Sequence, residues 1–238
     1  MPDGHATYYT EDYAYPCETY ISSILNTFIA RKSLEIIANK YYSNEIEKLY
    51  KESTPVNAKS YPSLYNIFIR CIDRLHITNE VPLYVTGRLT GINALSIELR
   101  GKQMILISRQ AVAQLTEEEL LFVLGHELGH CQYGHIIRHT VIGLINDMNK
   151  ASEILGPPLM DTIAVPLAQW FQCSEFTADR AGLICCESMQ TAHDIFCKLG
   201  MSQTKADVLM LYQETDSPHP LLQTRWEMLQ KYANNVNY

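Results

Sequence analysis

The pentapeptide His126-Glu127-Leu128-Gly129-His130 sits late in a stretch whose apolar residues recur at helical spacing. On a helix, residues four apart stand one above the other on the same face. His126 and His130 can then reach one tetrahedral Zn²⁺, with Glu127 offset toward an activated water as general base. A catalytic zinc needs a third protein ligand and an open fourth position. The third ligand is expected from a second helix packed against the first, so the pentapeptide constrains the fold as well as the chemistry.

The helix carrying it has a clear start. Thr116 reads as an N-cap with Glu119 three residues on, a capping box, and Glu117 and Glu118 suit the positive end of the helix dipole. Leu120, Leu121, Val123 and Leu124 carry the pattern into the histidines, and the helix is expected to continue to about His139. Gly125 and Gly129 lie inside it, each costing about 1 kcal/mol relative to Ala. Two readings stand: close packing of another helix, or room for metal and substrate. His135 and His139 are read as cationic residues near a helix C-terminus. No acidic partner helix is evident for them, so they are not expected to form a second metal site.

Elsewhere, helical spacing from Glu18 to Glu52 predicts one long helix or two in tandem, 53–62 reads as a loop, and 64–75 returns to helix. Three short β-branched runs, 81–86, 92–99 and 103–108, with Gly87, Gly91 and Gly101 between or beside them, predict a small three-stranded sheet. Further helices are expected over 141–155, 162–199, 205–213 and 221–232. Helices, a small sheet, then helices indicate a predominantly helical α+β fold. The expected organisation is a polar N-terminal segment (1–17), an N-terminal helical region (18–75) and a catalytic domain (76–238) forming one compact unit with that region.

The 238 residues suffice for one sizeable core. A formal net charge of -7 disfavours nucleic acid or an anionic membrane surface as the main partner. The seven cysteines are odd in number, form no C-x-x-C, and include the adjacent Cys185 and Cys186. They read as free, buried thiols in a reducing compartment, which points to the cytoplasm. The N-terminus has neither a basic region nor an apolar run of a secretory signal. The best apolar stretch, 154–171, is interrupted by Gly156, Pro157, Pro158, Asp161, Pro166 and Gln169, so a soluble protein is expected and membrane association is not. Core burial is the expected fate of the apolar residues from Ile163 to Phe171. Asp3, His5 and Cys17 could in principle block a metal site, but a mobile polar terminus is the preferred reading.

The third ligand is sought in Glu175-Phe176-Thr177-Ala178-Asp179-Arg180-Ala181-Gly182, where Glu175 and Asp179 share one helix face. A His₂Glu set leaves the fourth zinc position open. Asp179 is placed to accept a hydrogen bond from the distal N–H of a ligand histidine, most simply His126.

Glu119 to His130, Glu175 to Gly182, and Ser217-Pro218-His219-Pro220 followed by Arg225, in that order, resemble the zinc metallopeptidases of peptidase family M48, the gluzincins that include HtpX and the CaaX prenyl proteases. The resemblance covers about Val81 to Tyr232. It implies a zincin-like domain with one zinc held by His126, His130 and Glu175, and Glu127 as the base. It also implies His219 as a polar group stabilising the oxyanion, with Arg225 supporting the site. Asn93-Ala94 resembles the start of the edge strand along which family members bind peptide, making 92–99 the candidate for strand addition. Typical members carry membrane-spanning helices before the zinc helix and between it and the Glu helix. Here the corresponding regions, 18–52 and 141–172, are too polar or too broken by proline. The implied activity is a soluble endopeptidase acting on peptide or unfolded protein. The rival is a zinc-containing regulatory or binding module whose peptidase site is latent.

Overall fold

The computed structural model describes residues 8–9, 12–18, 47–99, 101–136, 157–202 and 222–236, with 99, 157–168 and 201–202 described by backbone alone. The helices expected over 141–155 and 205–213, and most of that expected over 18–52, lie outside these residues. In chain order the elements are β1 (Thr54–Pro55), α1 (Pro62–Arg74), β2 (Leu83–Thr86), β3 (Ala94–Leu99), β4 (Lys102–Ser108), α2 (Arg109–Gln114), α3 (Glu117–Gln132), α4 (Pro157–Cys186), α5 (Met189–Ser202) and α6 (Leu222–Val236).

Among the described residues the sheet has four strands in the order β1-β2-β4-β3, one more than expected. The extra strand, β1, is two residues long, pairing Thr54 with Val85 and Pro55 with Tyr84. Two residues have no readable period, and proline is tolerated at such an edge. β2 and β4 run parallel, while β3 folds back antiparallel on β4. Gly101, at φ +77°, supplies the left-handed residue that the tight β3–β4 turn needs. β4 is buried on both faces. Ile105 and Ile107 join the main core, whereas Met104 and Leu106 pack with Ile97 in a smaller cluster. Among the described residues β3 is the edge strand opposite β1, lying beside α3.

Both halves of the predicted capping box form at the start of α3: Thr116 Oγ1 accepts from the Glu119 amide at 3.3 Å, and the Glu119 carboxylate accepts from the Thr116 amide at 2.9 Å. The helix ends at Gln132, well before His139. Gly134 adopts φ +68°, and the His135 amide bonds back to the His130 carbonyl at 2.9 Å. A glycine in the left-handed region closes a helix at little steric cost.

Of the two readings of Gly125 and Gly129, the structure favours helix packing. A Cβ on Gly125 would lie 2.7 Å from the Cys185 side chain and 2.9 Å from the Ala181 carbonyl. One on Gly129 would lie 2.8 Å from the Ala181 Cβ. From the other side, Gly182 of α4 would meet the Phe122 carbonyl at 2.9 Å. α3 and α4 therefore approach to backbone contact.

The helix expected over 162–199 is two helices. α4 starts at Pro157, where proline is preorganised for a first turn, and runs 30 residues to Cys186. Glu187 then takes φ 54°, and Ser188 Oγ caps α5 by accepting from the Thr191 amide at 3.1 Å. Apolar residues on both sides of the break keep helical spacing, which hides it from periodicity. Of the apolar stretch 163–171, Trp170 and Phe171 are buried as expected. Among the described residues no helix is long and apolar enough to cross a membrane.

Residues 8–9 and 12–18 form a strap across α4 and α6. Arg180 Nη1 donates to the Tyr13 and Ala14 carbonyls at 3.0 and 2.8 Å, and the Tyr232 hydroxyl donates to the Tyr8 carbonyl at 2.6 Å. Cys17 is disulfide-bonded to Cys173 of α4, 156 residues away. This corrects the expectation of free thiols throughout. The strap's packing sets the two sulfurs face to face, and a pairing at that separation leaves no local trace. The same bond takes Cys17 away from the role of a blocking metal ligand, while Asp3 and His5 lie outside the described residues. Cys71, Cys131, Cys185 and Cys186 are the buried thiols expected, and Cys197 is exposed.

Two measurements check this packing. Gly125→Ala and Gly129→Ala should each destabilise the protein by about 1–3 kcal/mol in urea unfolding, because overpacking outweighs the gain in helix propensity. Thiol titration of the denatured, unreduced protein should count the five free cysteines, rising to seven after reduction. Seven thiols before reduction would contradict the Cys17–Cys173 bond.

Candidate active site

The close approach of α3 and α4 sets two helix faces against each other, each presenting residues four apart: His126 and His130 from α3, Glu175 and Asp179 from α4. His126 Nε2 lies 3.1 Å from His130 Nε2. Glu175 oxygens lie 3.8 Å from His126 Nε2 and 3.5 Å from His130 Nε2. A tetrahedral zinc with Zn–N and Zn–O bonds of about 2.0–2.2 Å holds its ligand atoms about 3.3 Å apart. The three groups, with ligand atoms all within 4.8 Å of one another, therefore fit a metal ion. The donor chemistry agrees: two imidazole nitrogens and a carboxylate are borderline ligands suited to zinc.

Behind the first of these histidines, His126 Nδ1 lies 3.1 Å from Asp179 Oδ1, the contact expected from the sequence. Asp179 is in turn gripped by Arg225 of α6, whose Nε and Nη2 donate to its two oxygens at 2.8 and 2.6 Å. Arg225 Nη1 reaches Glu175 at 2.9 Å. Arg225 thus bridges the prospective ligand Glu175 and the residue that orients His126.

The electrostatics follow from burial and this crowding of carboxylates. Burial opposes protonation of His126, yet its hydrogen bond to Asp179 and the charges of Asp179 and Glu175 outweigh it, so its pKa is raised. Groups that draw a proton to that imidazole also favour a cation at its other nitrogen. Burial opposes the charge on Arg225 as well, and Asp179 and Glu175 hold its pKa above the ordinary value. Burial raises the Glu127 pKa; His126 and a hydrogen bond from Ser96 pull it down, and Glu175 pushes it up again, leaving it above the carboxylate range. A carboxylate of raised basicity is suited to taking a proton from water.

Glu127 faces a cleft of about 240 Å³, bordered by Asn93, Ala94 and Ser96 on the sheet side and by Phe122, Ile195 and Leu199 on the helical side. Asn93 and Ala94 thus stand at the cleft, where β3 begins, an edge strand among the described residues. His219 lies outside the described residues.

Three supporting groups escaped the sequence reading. Ser96 of β3 donates to the Glu127 carboxylate and lies 2.9 Å from the Glu127 carbonyl. Its signal was a small polar residue alternating with the exposed Leu95 on an edge strand. His135 has an acidic partner after all: its Nε2 lies 2.6 Å from Glu18 Oε1, and its Nδ1 lies 2.8 Å from His130 Nδ1. Glu18 comes from the N-terminal strap, where no helical pairing rule would look for it.

The sequence model of Peptidase family M48 matches residues 59–233. The chain is also similar to the plastoglobule-localized metallopeptidase 48, chloroplastic, of Arabidopsis thaliana, with 25% identity over 148 residues. That alignment covers 62% of this chain and 42% of the relative, so the chain spans less than half of that protein's length.

Arg225 offers a direct check of the site's construction. Arg225→Met leaves two buried carboxylates without their cation and should destabilise the protein by about 3–5 kcal/mol. Arg225→Lys keeps the charge but cannot span both carboxylates, and should recover only part of that loss in urea unfolding.

Proposed function

The chain belongs to Peptidase family M48, and from that membership and the geometry of the cleft we propose that it is a zinc-dependent metalloendopeptidase. The observation that carries the reading is the convergence of His126, His130 and Glu175 from two helices, with Glu127 beside them at an open cleft. His126, His130 and Glu175 would hold one zinc per chain. Bound there, the ion would supply Lewis acidity, polarising a peptide carbonyl and making water nucleophilic near neutral pH.

The chain's own groups do the rest. Glu127 accepts the proton of the attacking water and passes it to the departing amine nitrogen. Ser96 holds the Glu127 carboxylate, while Asp179 fixes the ring of His126 and Arg225 locks Asp179. His219 is assigned the oxyanion role from the family pattern alone.

The substrate is a peptide or unfolded segment, laid as an added strand along β3 from Asn93 and Ala94, with an apolar side chain against Phe122, Ile195 and Leu199. Extended backbone pairing with an edge selects an unfolded segment over a folded surface, and supports an endopeptidase. The expected cytoplasmic location rested in part on free cysteines, and the Cys17–Cys173 bond removes that part of the ground. The proposal is therefore for a peptidase of unassigned compartment.

Glu127→Gln tests the mechanism. It should abolish cleavage of an unfolded protein substrate while leaving about one zinc per chain by metal analysis. Retained activity would refute Glu127 as the base. A zinc-loaded wild-type protein that cleaves no member of a broad peptide library would instead favour the latent, regulatory reading.

A further inference from the structure

The two histidines of the pentapeptide are supported differently. His126 meets a carboxylate directly, through Asp179. His130 meets another imidazole. We infer that Glu18, acting through His135, is a positioning residue for His130, so that the N-terminal strap supplies part of the metal site. This rests on the reading of His126, His130 and Glu175 as metal ligands.

The geometry begins with the end of α3. On a continuous helix a residue five positions on lies about 140° around the axis, facing away. Gly134, at φ +68°, ends the helix instead, and the chain turns so that the His135 ring comes back under His130. His135 is fully buried and is packed edge-on against Trp170 at 5.2 Å between ring centres. Its Nδ1 lies 2.8 Å from His130 Nδ1, and its Nε2 lies 2.6 Å from Glu18 Oε1. The other Glu18 oxygen accepts from the Thr177 hydroxyl on α4. Glu18 is itself buried, and its neighbour Cys17 is bonded to Cys173, one helical turn before Thr177.

These contacts favour one placement of the ring hydrogens. A carboxylate oxygen accepts, so in the inferred arrangement His135 Nε2 donates to Glu18. In a neutral imidazole the other nitrogen is then an acceptor. His135 Nδ1 therefore accepts from His130 Nδ1–H, and the lone pair of His130 is left on Nε2. That is the atom 3.1 Å from His126 Nε2 and 3.5 Å from Glu175. Remove Glu18 and either nitrogen of His135 can carry the hydrogen. In the wrong tautomer His135 donates to His130, which moves its own hydrogen to Nε2, where it blocks the metal. Partners that fix a ligand histidine in this way are typically worth 10–100-fold in metal affinity.

The test uses the full chain, with zinc affinity read by competition against a chromophoric chelator and the site geometry by the visible spectrum of the Co²⁺ form. Glu18→Leu, which removes the acceptor altogether, should weaken zinc binding by about 10–100-fold and alter the Co²⁺ spectrum. The paired variant Glu18→Leu with His135→Phe replaces both polar groups with apolar ones of similar size, so no buried charge is orphaned. It should unfold, metal-free, near the wild-type temperature yet show the same loss of zinc affinity. Zinc affinity within twofold of wild type in either variant would overturn the inference and leave the pair a packing feature. Should the paired variant fail to fold, Glu18→Leu alone decides. A wild-type protein that binds no zinc would instead overturn the metal-site reading itself.

Discussion

The backbone contact between α3 and α4 is the constraint on which the site depends. A helix pair separated by ordinary side chains stands 8–10 Å apart at its axes, according to what lies between. Here Gly125 and Gly129 face Ala178, Ala181 and Cys185, and Gly182 faces Phe122, so almost nothing lies between. Short reach follows directly. His126 and His130 need no extension to meet Glu175, and Asp179 touches the far side of the His126 ring. The glycines each cost helix propensity, and that cost is repaid in the positions of four functional side chains rather than in packing alone.

Such an approach buries carboxylates that need compensation, and the compensation explains why the third helix of the site is where it is. Glu127, Glu175 and Asp179 are all under 9% exposed. An uncompensated buried carboxylate either costs several kcal/mol or takes up a proton. Arg225 answers for two of them at once from α6, forking onto Asp179 and reaching Glu175 with its remaining nitrogen. Burial raises the Glu127 pKa, and among the described residues His126 and Ser96 offset that rise only in part. The carboxylate proposed as the base is thus the one that Arg225 does not grip.

This division explains what was legible in the sequence. Interactions within one helix, or between two helix faces each carrying residues four apart, obey a fixed period. The capping box at Thr116 and the meeting of His126, His130, Glu175 and Asp179 were accordingly foreseen. Features set by a single φ angle or by distant packing were not. Gly134 ends α3 early and Glu187 divides the long helix, yet both interruptions fall inside apolar patterns that continue across them. β1 is too short to have a pattern, and Ser96 matters only because β3 happens to lie beside α3. Cys17 and Cys173 found each other through a strap that the composition of the terminus presented as a solvated tail.

The strap changes how the site's boundary should be drawn. Tyr13, buried against α3 and α4, donates to Gln132 at the end of α3, while Tyr15 packs on Phe176 with their rings 4.9 Å apart. The strap therefore touches α3 and α4 on the side away from the cleft, behind the very turns that carry His130 and Glu175. A rigid back wall is what a metal site needs, since ligand positions are only as well defined as the groups that support them. The cleft face, by contrast, is bordered by β3, an edge strand among the described residues, and by the apolar side chains of Phe122, Ile195 and Leu199. Packing behind the histidines and an edge strand in front of them suit the proposed site, with its metal supported from the strap side and its peptide added along β3.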